Sequence, residues 1–196
     1  MAGNAKSITK VWSVIDAELA KRSPKAAATL RKPAVEKSLA ALEKAVKVPL
    51  SEELRAYLAI HDGQDDKKPL PFVFTTVPWI LLPAASIVSR FKQLKELEDD
   101  SEFEGNDATN RDGFVNAVWW SDKWIPFAVN AGGDYLCVDM GPTKKGRGGQ
   151  LLWWYHDEDF RERQYEDLTT FFQKYADALA GGKLTVRPDG AIVGDL

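Results

Sequence analysis

Apolar residues recur with the period of a helix along the first third of the chain. Ile8, Val11, Trp12, Ile15 and Leu19 share one face, Ser7 is placed to cap the segment, and Ser23-Pro24 ends it. A second stripe, Val35, Leu39, Leu42 and Val46, begins just after Pro33 and closes at Pro49. Ser51 then offers an N-cap, Glu52 and Glu53 suit a first helical turn, and Leu54, Tyr57 and Leu58 make one face. His61-Asp62-Gly63-Gln64 follows, with Gly63 where a left-handed helix terminus is expected. Proline and aromatics fill Lys67 to Pro83, so Phe72-Val73-Phe74 and Trp79 to Leu82 predict short edge or buried strands. Ser86 is the expected cap of a helix carrying Ile87, Phe91, Leu94 and Leu97.

The period then changes. Eight acidic residues between Glu96 and Asp112, among few hydrophobes, predict a mobile, solvated loop. Trp119 to Ala128, Asp134 to Met140 and Gln150 to Tyr155 are strand candidates separated by turns. Leu168, Phe171, Phe172, Tyr175 and Leu179 mark a helix that Gly181-Gly182 stops. Leu184 to Arg187 and Ala191 to Val193 read as a terminal hairpin. Helices, then a meander of strands, then a helix predict an α+β fold with a mostly antiparallel central sheet flanked by helices and a helical N-terminal third. The 196 residues fit a single domain over 1–196, with N-terminal helices at about 8–48 and a C-terminal hairpin at about 183–193.

Composition narrows the chemistry. One cysteine, Cys137, excludes an internal disulfide framework and a multi-cysteine zinc site. No apolar run approaches the roughly 18 residues of a membrane span, and the N-terminus lacks a signal-peptide pattern, which points to the cytoplasm. Met1 to Val48 carries ten basic against four acidic residues, and the remainder sixteen against twenty-five. The basic residues fall between apolar helix positions rather than in a run, so direct nucleic-acid binding is not expected. Seven tryptophans beside two histidines favour packing and binding over acid–base chemistry.

Candidate motifs reduce accordingly. Gly141 to Gly148 has glycines and lysines but lacks the Lys-Ser/Thr and helix of a phosphate-binding loop, and reads as a flexible basic turn. His156-Asp157-Glu158-Asp159 reads as a solvated acidic turn, because neighbouring strand residues point to opposite faces. Cys137 reads as a small buried hydrophobe. Asp134 and Asp139, five apart on a strand, should not pair as acid and base, and an enzymatic reading would need Asp134, Asp139 and His156 to converge. The doublets Trp119-Trp120 and Trp153-Trp154 should each turn one ring to either side of a strand, leaving one ring of each pair, with Trp79, as a candidate anchor.

The strings "VWSVIDAELAKRSPKAAATL", "ALEKAVKVPLSEELRAYLAIHDGQ" and "WIPFAVNAGGDYLCVDMGPTKKGRGGQLLWWYHDE", followed by an aromatic helix, resemble a Smi/Knr-type protein of the SUKH superfamily, over roughly Ile8 to Leu179. The resemblance implies an α+β domain, no shared catalytic residues and no cofactor. It also implies a binding role: bacterial members are commonly immunity proteins that neutralise a cognate toxin, whereas fungal members regulate cell-wall assembly as interaction hubs. His61, Asp62, Gly63, Gln64, Gly132, Gly133, Asp134 and Asp139 are the matching positions and read as turn and strand-edge devices. The leading expectation is an immunity protein, monomeric or weakly dimeric, whose partner is a toxin of a basic, nuclease-like kind. Glu98, Asp99, Asp100, Glu102, Glu104, Asp157 and Asp159 would supply charge, and Trp79, Trp120 and Trp153 the anchors. The alternative is a cell-wall regulator or scaffold module.

Overall fold

The computed structural model describes residues 2–65, 72–73, 77–99, 108–194 and 196. Four helices come first: α1 (Ala2–Arg22), α2 (Pro24–Ala27), α3 (Glu36–Val46) and α4 (Glu52–Leu58). α1 begins ahead of the expected cap at Ser7, and its apolar stripe, Ile8 to Leu19, is buried. Ser23 ends it and accepts the Ala26 amide as the N-cap of α2. α3 starts at Glu36, so Val35 precedes it and is exposed, while Leu39, Leu42 and Val46 pack inward. Ser51 caps α4 as expected.

Among the described residues, ten strands follow in two sheets. β1 (Phe72–Val73) and β2 (Pro78–Leu81) precede helix α5 (Ala84–Glu98), and β3 is Thr109–Asn110. The meander is β4 (Trp124–Asn130), β5 (Tyr135–Asp139) and β6 (Gln150–Trp154), then the short β7 (Phe160–Arg161) and β8 (Arg163–Tyr165). Helix α6 (Leu168–Ala180) and the hairpin β9 (Thr185–Val186) and β10 (Ile192–Val193) complete the chain. The main sheet has the order β8-β6-β5-β4-β2-β1-β10-β9, antiparallel except where β1 meets β10, and β3 pairs β7 separately in parallel. The class is α+β.

Two expected boundaries move. α5 runs to Glu98 with Asp99 as its C-cap, so the acidic stretch starts inside a helix. Trp119 and Trp120 precede β4 in a loop, because Ser121 turns the chain: its carbonyl accepts the Trp124 amide and its hydroxyl the Lys123 amide.

Both faces of the sheet are covered. On one, α1, α4 and α6 meet in an aromatic knot, with Trp12 against Tyr57 at 5.2 Å and Phe172 at 4.8 Å, and Phe127 of β4 against Phe171. On the other, Phe91 of α5 meets Trp120, which packs edge-on against Trp124 and Trp154. The C-terminal hairpin is fastened to the end of α1. Arg22 donates to the carbonyls of Leu179 and Leu184, Ser23 Oγ donates to Gly190 at 2.6 Å, and Lys25 reaches Pro188. Among the described residues no helix is long and apolar enough to cross a membrane.

Candidate functional site

The tetrapeptide after α4 is a junction of four elements. His61 Nε2 lies 2.9 Å from Asp16 Oδ1 on α1, and Nδ1 lies 3.1 Å from the Arg31 carbonyl. Asp62 accepts the Ala84 amide at 2.7 Å and so caps α5, the role expected of Ser86, which instead lies inside the helix. Gly63 has φ of 64°, and a Cβ there would stand 2.4 Å from the Leu82 carbonyl carbon. Only glycine admits that approach. Gln64 continues the sheet with its side chain: its Oε1 accepts the Leu81 amide at 2.9 Å and its Nε2 donates to Thr29 at 3.0 Å.

The β4–β5 turn is a second junction. Asn130 Oδ1 accepts the amides of Gly132 and Asp134, and Asn130 Nδ2 donates to Asp134 Oδ2 at 2.8 Å. Gly133 takes φ of 91°. Asp134 Oδ1 in turn meets His156, both through the ring Nδ1 at 2.8 Å and through the backbone amide at 3.2 Å.

Asp139 closes the other end of β5. It is fully buried, accepts the Gly141 amide at 2.9 Å and the Gln150 side-chain amide at 2.9 Å, and burial raises its pKa to about 6 against these bonds. Strand rise separates it from Asp134 by roughly 17 Å, so the triad Asp134, Asp139 and His156 does not assemble. The Gly141–Gly148 turn is less free than its composition suggests. Thr143 bonds the carbonyls of Gly113 and Phe114, and a Cβ on Gly146 would meet the Phe114 carbonyl oxygen at 2.6 Å.

The tryptophans are the principal correction. Trp79, Trp120 and Trp153 are all buried, so their rings are not surface anchors. Trp79 packs against Trp153 in a tilted arrangement, 4.7 Å between ring centroids, and Trp154 is covered by Trp119 and Trp120. With helices on one side and α5 plus the 113–120 loop on the other, strand alternation exposes neither ring of the Trp153-Trp154 doublet. Trp119 is half-buried in its loop, with its ring against Trp154. The acidic candidates differ. Asp99, Asp157 and Asp159 are exposed and Glu98 is half-buried, whereas Asp100, Glu102 and Glu104 lie outside the described residues.

Three buried polar groups join elements in ways the sequence reading does not assign to them. Arg161 is fully buried and donates to the carbonyls of Glu158, Phe160 and Trp119, and burial lowers its pKa to about 10. Glu53 reaches from α4 to the start of α6, accepting the Leu168 amide and the Thr169 hydroxyl, and burial raises its pKa. Gln150 ties Asp139 to the Phe114 carbonyl. Gln150 is the first residue of a strand in the sequence reading, and only the fold brings it opposite Asp139. Arg161 and Glu53 looked like ordinary charged residues.

The fold and its junctions define an α+β scaffold whose recurring polar motifs are spent on joining its own elements. A sequence model of the SMI1/KNR4 family (SUKH-1) matches residues 33–174, and the chain belongs to that family. It is also 22% identical over 216 aligned positions to a glucan synthesis regulatory protein of Neurospora crassa, an alignment covering 93% of this chain and 40% of that protein. The chain thus spans well under half the length of that relative.

Proposed function

We propose that the protein is a non-catalytic binding module, acting in the cytoplasm as a single domain, that neutralises a cognate toxin by docking on it. The observation that carries the reading is where the motif side chains go. His61, Asp62, Gln64, Asp134 and Asp139 are engaged by amides, carbonyls and side chains of the fold itself. Residues used in this way maintain a scaffold, which leaves recognition to the exposed surface around it. The exposed acids Asp99, Asp157 and Asp159, with the half-buried Glu98, would offer negative charge to a basic partner and steer its approach.

Co-expression with the product of the adjacent gene tests this. Growth protection together with a one-to-one complex supports it; neither protection nor a complex at low salt overturns it.

A second reading, a regulatory module in cell-wall assembly, has its own support. The relative aligned over 93% of the chain is named a glucan synthesis regulatory protein. Deletion of the gene separates the two: altered sensitivity to wall stress in a host without the toxin favours the regulator.

A further inference from the structure

Asp134, His156 and Asp157 meet where the β4–β5 turn touches the loop after β6. Each brings one ligand atom, and the three atoms lie within 4.8 Å of one another. We propose that they form a binding site for a first-row divalent cation such as Zn2+ or Co2+, completed by water. This differs from a patch of surface acids in two ways: the set contains an imidazole, and its parts are held from behind.

Asp134 is largely buried. Its Oδ2 is held by Asn130 at 2.8 Å, which leaves Oδ1 aimed at His156. Oδ1 and the ring Nδ1 stand 2.8 Å apart, close to the roughly 3 Å between neighbouring ligands of an ion bonded at about 2.0–2.1 Å. The ion would take the place of the hydrogen they share, and that proton would leave to solvent. The loop carrying the other two ligands is braced along its length. The His156 amide is on Asp134, Arg161 holds the Glu158 carbonyl at 2.9 Å, and Thr109 holds the Asp159 carbonyl at 2.7 Å. Asp157 is exposed beside His156, and its carboxylate oxygen lies within 4.8 Å of the other two ligand atoms.

The donor set selects the ion. One imidazole nitrogen and two carboxylates suit zinc, cobalt or nickel, whereas calcium prefers about 6–8 oxygens. An open rim leaves the remaining positions to water.

The experiment uses the full, untagged chain, titrated with Zn2+ by calorimetry and with Co2+ by visible absorption. One ion should bind at micromolar concentration. His156→Ala and Asp157→Asn should each weaken it by at least the roughly 10–100-fold that loss of an outer-shell partner alone costs. Asp157 is exposed, so Asp157→Asn should melt as the wild type does, and its affinity carries the test apart from the junction that His156 makes with Asp134. Absence of saturable one-ion binding overturns the proposal, and so does wild-type affinity in either variant.

Discussion

His61 faces two acceptors at once, the Asp16 carboxylate and the Arg31 carbonyl. A neutral imidazole donates only one hydrogen, so the charged ring alone satisfies both. Burial opposes that charge, but the two acceptors outweigh it and hold the pKa above its ordinary 6.5. A raised folded value means that the stabilisation is complete below about pH 6.5 and is lost as pH rises through the folded value. His61→Ala should therefore cost more stability at about pH 6 than at about pH 9, read by urea denaturation. A cost independent of pH would show a neutral ring. Gly63 gives a second residue-scale test. Gly63→Ala adds a backbone clash to the roughly 1–2 kcal/mol of a left-handed alanine, whereas Gly182→Ala, with φ of 73° and open space around it, should cost the conformational part alone.

Elements were legible in the sequence where one face met one core. The stripe of α6, buried at Leu168, Phe171, Phe172, Tyr175 and Leu179, is the clearest case. Phe171→Ala should cost about 3–5 kcal/mol by leaving a cavity beside Phe127 and Tyr165, measurable as a shift in the denaturation midpoint. Caps within reach of their own helix were legible too, as at Ser51. The cap of α5 was not, because Asp62 comes from 22 residues earlier and only the tertiary fold brings it there. Trp119 and Trp120 misled for a related reason. Their aromatic character suited a strand, but Ser121 and its turn decide where β4 begins. Asp139 shows how an element's end is tuned. With its pKa raised to about 6 from 3.8, its contribution is present at low pH and lost as the buried carboxyl ionises. Asp139→Asn should gain about 3 kcal/mol relative to the wild type between roughly pH 4 and 7. An unchanged difference across that range would mean the carboxyl titrates normally.

For the whole molecule, sequence showed the separation of charge but not which acids reach the surface. Surface substitutions away from packed features usually fall within about 0.5 kcal/mol, so Glu98→Gln, Asp99→Asn and Asp159→Asn together should leave the melting temperature nearly unchanged. The same variant should associate more slowly with a basic partner and lose the salt dependence of its on-rate. An on-rate and salt slope equal to the wild type's would remove the acidic surface from the proposed docking.

The fastening of the C-terminal hairpin to α1 sets the boundary of anything that can be cut from this protein. The stretch that the family shares, 33–174, leaves out α1 and α2 and the hairpin, and stops within α6. Yet Trp12 of α1 fills the space between Tyr57 and Phe172, and Ser23 closes on Gly190. The stretch matched by the family model and the interlocked fold therefore have different limits here. A fragment trimmed to the shared stretch should melt without a cooperative transition, and a fusion partner placed between Arg187 and Gly190 would pry open the joint that keeps the two ends together.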